Sequence, residues 1–236
     1  MGGKGCKDCK DFKDFKGFRG FKDFRVFRDF RGFKGFKVIK TTIIIITTKK
    51  TFIIMPEKLI RHPGNYRKLL SYQKAEVIFE MTYFFCHNFL QKGDRTIDQM
   101  VQAARSGKQN IIEGCAASAT SAKTEIKLVN VAKASLKELL EDYIDYLRTR
   151  GHRQWEEGST EWNAMRDLGR THNDAGFFMN LCETRPAETI ANMAIVLIYQ
   201  ADYLLFKQLE RLERDFVQQG GFSERMMRVR KENRGF

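Results

Sequence analysis

The sequence predicts an all-α protein, an antiparallel bundle of helices preceded by a low-complexity arm. Three observations carry this. Between Tyr66 and Gln218 apolar residues recur at spacings of three and four. Short segments with glycine, proline or capping residues separate these stretches. No run within them alternates as a half-buried strand would, and long helices joined by short links pack antiparallel.

The first helix is expected from Tyr66 to Gln91, with Leu69, Leu70, Val77, Met81, Phe84, Phe85 and Phe89 on its apolar face. Lys92-Gly93-Asp94 ends it, Gly93 suiting a left-handed C-cap. The second runs from Thr96 to Glu113, capped by Asp94 or Thr96 and stopped at Gly114. Its middle, Ala103 to Gly107, is small enough for a neighbouring helix to come close. The third spans Lys123 to Arg150 behind a Thr120 or Ser121 cap. Its main stripe is Val129, Ala132, Leu136, Leu140, Tyr143 and Leu147. A second set, Leu128, Val131, Ser135 and Leu139, widens that face and suggests self-association. Gly151 stops this helix, and Ser159 caps a fourth from Glu161 to Thr184. Pro186 sits at the first turn of the last long helix, Ala187 to Gln218. Gly220-Gly221 breaks it, leaving a basic tail.

The arm, 1–54, is different in kind. From Phe12 to Phe36 a Phe stands at every third position, each followed by Lys or Arg. That period fits neither helix nor strand, so the segment has no apparent packed core and is expected to lack order. Thr41–Thr48, with its four consecutive Ile, is β-prone and prone to aggregate. One reading is an aromatic-basic arm for nucleic acid. The preferred reading is a translated tandem DNA repeat upstream of the true start, for which Met55-Pro56-Glu57-Lys58 is well suited. The domain division is therefore an arm at 1–54, a helical bundle at 55–218 and a basic C-terminal tail at 219–236.

Charge divides along the same lines. The chain carries a net +13. Fifteen Lys and Arg against five Asp put a surplus of ten in residues 1–54, leaving a surplus of three for residues 55–236. Five scattered Cys, at positions 6, 9, 86, 115 and 182, argue against a disulfide framework and for a reducing cytoplasm. No apolar run reaches the ~18–20 residues of a membrane span, and the start lacks a signal-peptide apolar region. No membrane association and no cofactor are expected.

The densest motif lies between Gln99 and Asp142. It comprises Arg105-Ser106, Asn110-Ile111-Ile112-Glu113-Gly114, a Ser/Thr-rich loop, Glu125-Ile126, Val131-Ala132-Lys133-Ala134-Ser135-Leu136 and Glu138-Leu139-Leu140-Glu141. This resembles the four-helix-bundle family first noted as products of intervening sequences in bacterial 23S rRNA. The residues that carry the resemblance are an Arg-x-Ser…Asn-Ile-x-Glu-Gly helix end followed by Ala-x-x-Ser-Leu-x-Glu-Leu. Gly107 stands near a position often held by Ser, a departure that keeps the surface small. The likeness covers Tyr66 to Arg150. The remainder is similar to a longer variant with a C-terminal suffix.

The resemblance implies an up-and-down antiparallel four-helix bundle with an extra C-terminal helical suffix. It also implies a homo-oligomer, a pentamer in the members with barrel assemblies. A related group is the accessory variability protein of diversity-generating retroelements, which implies nucleic acid, RNA above all, and a reverse transcriptase as partners. The expected function is a non-enzymatic, oligomeric, RNA-binding accessory or scaffold factor. Arg105, Lys108, Lys123, Lys127 and Lys133 are the candidate nucleic-acid contacts, a basic band that ring symmetry would multiply. Ser106, Asn110, Glu113, Gly114, Ser135 and Glu138 are read as a packing and capping motif, with Gly114 taking a positive φ at the helix end.

Enzyme readings fare poorly. No Glu precedes a His by three residues, as a di-iron bundle needs, and His-Glu-x-x-His is absent. Cys6-x-x-Cys9 has no second pair for zinc. Cys86 and His87 are helix neighbours and point apart. The runner-up is a HEPN-like ribonuclease, because Arg166-Asp167 followed by Thr171-His172 resembles that group's Arg-polar…His signature. A protein-interaction scaffold without nucleic acid is the third reading.

Overall fold

The computed structural model describes residues 36–39, 42–47, 50–54 and 64–234. The chain divides into two units, Met1–Pro56 and Glu57–Phe236. In the first, β1 (Phe36–Ile39), β2 (Thr42–Thr47) and β3 (Lys50–Ile54) form an antiparallel sheet in that order. Val38 lies opposite Ile43, and Ile45 opposite Phe52. Runs of Ile and Thr suit the pleated backbone, and β2 falls on the β-prone stretch. The repeat from Phe12 to Phe33, the Cys6–Cys9 pair and the Met55 start lie outside the described residues.

The second unit is helical throughout its described length. A 3-10 turn at Tyr66–Lys68 leads into α1 (Leu70–Phe89). The two were expected as one helix, but Leu69 is extended between them. Gly93 has a φ of 92°, the left-handed conformation its sequence context suggested. The Asp94 carboxylate accepts from Thr96 N at 2.9 Å and caps α2 (Arg95–Ala117). This helix outruns its expected end. Gly114 lies buried inside it with no positive φ, facing the start of α3 (Ala122–Thr149), and does not terminate the helix. A Cβ on Gly114 would touch Glu125 O and Leu128 Cβ at 3.5 Å.

Ser121 caps α3 and Ser159 caps α4 (Thr160–Thr171). The single helix expected from Glu161 to Thr184 is two. His172 is extended, and Asp174 accepts from Phe177 N at 2.9 Å to start α5 (Ala175–Cys182) afresh. Pro186 stands just before α6 (Ala187–Gln219) as its N-cap, one position earlier than expected. Gly220, with a φ of 73°, ends α6. The expected tail is then largely a further helix, α7 (Phe222–Arg234).

The core lies among α1, α2, α3 and α6. Helix α1 packs on α2 and α6, and α3 packs on the same two; α4 covers part of α6 and α5 covers part of α1. Met81, Phe85, Met100, Ile111, Leu139, Ile190 and Leu197 are fully buried there, each contributing roughly 1.5–3 kcal/mol by leaving water. Phe85 sits 5.2 Å from the Tyr143 ring and 4.8 Å from the Tyr146 ring. The buried Tyr143 hydroxyl donates to Thr82 Oγ1 at 3.0 Å, which donates to Ile78 O at 2.7 Å. That relay satisfies polar groups that would otherwise cost stability. Helix α6 is, by length and composition alone, long and apolar enough to cross a membrane. Its eight residues from Ile190 to Leu197 are all buried against other helices of the chain.

A close seam joins α2 to α3. A Cβ on Gly107 would lie 2.8 Å from Leu136 Cδ2 and 2.9 Å from its Cγ. One residue before each of these, the Ser106 and Ser135 hydroxyls hydrogen-bond at 3.1 Å. Asn110 Nδ2 donates to Ser106 O at 2.8 Å and to Ser106 Oγ at 3.1 Å. The same seam consumes much of the second apolar set on α3. Ser135 and Leu139 are buried inside the chain, which leaves Val131, 39% exposed, as the exposed member.

Gly107→Val should lower the unfolding free energy by about 1–3 kcal/mol through overpacking. Adding Leu136→Ala should recover part of that loss. Urea unfolding of the four members of the double-mutant cycle measures the coupling; additive losses would mean that the two positions do not meet.

Candidate nucleic-acid interface

The five cations of the expected band are dispersed. Arg105 is exposed on α2. Lys108, three residues on, lays its ammonium 4.0 Å from the ring centre of Phe79 on α1. Lys133 turns the other way, ion-paired at 2.8 Å with Asp202 of α6 and 5.7 Å from the Phe206 ring. Lys123 and Lys127 are exposed near the start of α3. Ten residues of helix, about 15 Å, separate Lys123 from Lys133 along the axis. So the α2–α3 surface holds cations that lean onto different neighbours, one of them already neutralised.

The polar motif is spent on packing. Ser106 and Ser135 bond across the seam, Asn110 bonds back to Ser106 within α2, and Gly114 faces the start of α3. Glu113 and Glu138 are exposed on α2 and α3.

The ribonuclease pair fares no better as a unit. Arg166 is exposed on α4, while His172 caps the end of that helix. The His172 ring stacks on Phe177 with centres 3.9 Å apart and planes 8° from parallel, and its Nδ1 is 2.8 Å from Thr171 Oγ1. Among the described residues no hydrogen bond or ring contact joins Arg166 to His172.

Sequence reading missed what holds this corner. Lys74, on α1, is 1% exposed. Its ammonium donates to Gly169 O at 2.6 Å and His172 O at 3.1 Å, and lies 5.7 Å from the Phe178 ring. A cation from another helix thus satisfies the carbonyls left over at the end of α4. Burial pulls its pKa down to about 8. Nothing local to the α4 sequence signals this partner, 95 residues away. The other displaced acid–base group is Glu125. It lines a cleft of about 240 Å³ with Cys115, Gln208, Arg211, Asp215 and Arg225. Burial pushes its carboxyl up to about 7, with Arg211 opposing and Asp215 adding to the rise.

The described cysteines are poor nucleophiles. Cys86, Cys115 and Cys182 are free thiols and buried. Burial raises Cys86 to about 12 and Cys182 to about 11, far from the thiolate form. His87 stacks on Tyr83, away from Cys86. No group of three or more His, Cys, Asp or Glu among the described residues could hold a metal ion.

Uncompensated charge lies elsewhere. Residues 55–218 carry twenty-two Lys and Arg and twenty-two Asp and Glu, an even balance. Residues 219–236 carry five cations and two carboxylates. On α7, Phe222, Arg225, Met226 and Val229 form the less exposed face; Ser223, Met227, Arg230, Lys231 and Arg234 form the exposed one. Gly221 N donates to the Glu224 carboxylate at the start of the helix, and Arg228 Nη2 donates to Gln219 O at 3.0 Å. The Phe222, Met226, Val229 spacing was visible in the sequence but is short and surrounded by charge.

No protein-family model, curated protein or solved structure matches the chain.

The Lys74 pKa, lowered from 10.5 to about 8, means that the unfolded chain binds more protons than the folded one between these values. Stability from this group therefore rises with pH across that window. Wild type should gain stability relative to Lys74→Met between pH 8 and 10 in urea unfolding. A pH-independent difference would show that Lys74 titrates normally in the fold.

Proposed function

We propose that this chain is a non-enzymatic, self-associating helical-bundle protein that binds nucleic acid, RNA in particular, as an accessory or scaffold factor. The observation that carries this is the segregation of charge. Within residues 55–236 the helical body, 55–218, has balanced charge, and residues 219–236 hold the whole positive surplus. Clustered surplus of one sign draws polyanions.

The intervening-sequence resemblance agrees with the packing. Thr82 meets Tyr143 and Phe85 meets Tyr146 at a constant offset, which supports parallel α1 and α3. Ser106 meets Ser135 and Gly114 meets Leu128, which supports antiparallel α2 and α3. Lys133 meeting Asp202 while Glu125 feels Arg211 supports antiparallel α3 and α6. These pairings support the reading of α1, α2, α3 and α6 as an up-and-down four-helix core, with α4, α5 and α7 as insertion and suffix. For self-association, α6 offers an alternative to the α3 face. Tyr199, Tyr203 and Phe206, at helical spacing, are all exposed, Tyr203 to 60%. A ring of five is the stoichiometry that the resemblance suggests, and a reverse transcriptase the protein partner. The buried, unpaired thiols and the burial of α6 are compatible with a cytoplasmic location.

The expected behaviour is tight RNA binding at 50 mM salt that weakens steeply by 200 mM, with the RNA left intact. Fluorescence anisotropy on the full chain, with gel analysis of the RNA afterwards, checks both. Cleavage by wild type that Arg166→Ala and His172→Ala abolish would replace this reading with the ribonuclease. No binding at low salt would leave the protein scaffold. Light scattering should report more than one copy per particle.

A further inference from the structure

We propose that the exposed face of α7, with Arg230, Lys231 and Arg234 around Met227, is the surface that meets the nucleic-acid phosphates. This rests on the nucleic-acid reading above and moves its contact from the α2–α3 surface to the suffix helix.

The first argument is clustering. On the body of the protein several cations stand beside carboxylates, Lys133 with Asp202, Arg148 with Asp145, Arg153 with Glu161, Arg170 with Asp167 and Lys207 with Glu210; others, such as Arg105, Lys123 and Lys127, are exposed singly, whereas α7 gathers three on one side. Among the described residues no carboxylate pairs with Arg230, Lys231 or Arg234. Glu224, the acid on the same side one turn earlier, is engaged by Gly221 N.

Geometry supplies the second argument. Arg230, Lys231 and Arg234 follow Met227 at three, four and seven residues, so all four share one side of the helix. That side is exposed at every one of these positions. Successive turns set the cations one helical pitch apart, about 5.4 Å, on a rigid element and not on a coil. The helix is oriented at its start, where Arg225 is buried in the cleft beside Arg211 and Asp215 and Arg228 reaches back to Gln219 O. Fixed orientation keeps the basic side outward.

The apolar content argues for nucleic acid over a lipid surface. A helix lying in a bilayer interface turns a broad apolar face to the lipid. Here Phe222, Met226 and Val229 occupy the less exposed side, and Met227 alone is apolar amid the outward cations. Three cations and a single polarizable side chain suit phosphates with a base beside them.

The test uses the full chain, a labelled single-stranded oligouridine, and the triple variant Arg230→Gln, Lys231→Gln, Arg234→Gln, glutamine being a good helix former. Three phosphate contacts at about 0.7 each should make the slope of log K against log salt shallower by about 2 in the variant. Wild type should accordingly lose about 20-fold more affinity than the variant between 50 and 200 mM salt. The charge-preserving variant Arg230→Lys, Arg234→Lys should keep the wild-type slope, and circular dichroism should show unchanged helix content in both. Equal slopes for wild type and the glutamine variant would overturn the α7 surface and leave the nucleic-acid reading standing. A wild type that ignores the oligomer would overturn both. So would binding of phosphatidylserine vesicles through these residues with none to RNA.

Discussion

The approach of α2 to α3 at Gly107 is the constraint on which the rest of the helical unit depends. Leu136 fills the space a Cβ on Gly107 would take, so a side chain of α3 packs directly on the backbone of α2. Closeness brings Ser106 within reach of Ser135 and lets Asn110 bond back to Ser106. A polar seam of this kind specifies register, because a slip by one residue would oppose the hydroxyls to apolar groups. With register fixed, Gly114 falls opposite the start of α3, and Tyr143 falls where its hydroxyl meets Thr82 of α1. One missing side chain thus propagates from a local contact to the relation of three helices.

Local signals were legible where the chain satisfies its own backbone. Asp94, Ser121 and Ser159 cap the helices their sequence contexts indicated, Gly93 adopts the positive φ expected of it, and Gly151 follows the end of α3. Failures occur where a distant partner decides. Gly114 reads as a stop because glycine is a poor helix former, yet α2 runs through it to Ala117. The α4–α5 break is reinforced by Lys74, a residue of another helix. The second stripe on α3 reads as surplus apolar surface, but Ser135 bonds Ser106 of α2 and Leu139 is buried within the chain. Periodicity tells which residues leave water, not which neighbour receives them.

The candidate site shows the same boundary more sharply. A sequence lists cations; it does not reveal their counterions. Lys133 and Asp202 lie 69 residues apart and meet at 2.8 Å. Lys108 reads as a surface charge and instead covers an aromatic ring on the neighbouring helix. The cations of α7 belong to the stretch that composition most readily describes as a tail. Only the helix makes them one face.

Placing the surplus on an appended helix has a physical consequence for assembly. Copies of a body with balanced charge can approach one another without the long-range repulsion that a strongly basic surface would impose. In the proposed assembly, exposed Tyr199, Tyr203 and Phe206 on α6 would serve as contact area, while the cations of α7 would stay free to face a polyanion. Were the basic residues spread over α3 and α6, each subunit added would raise the cost of adding the next. Separating a neutral core from a charged end helix would let self-association multiply the basic face without working against it.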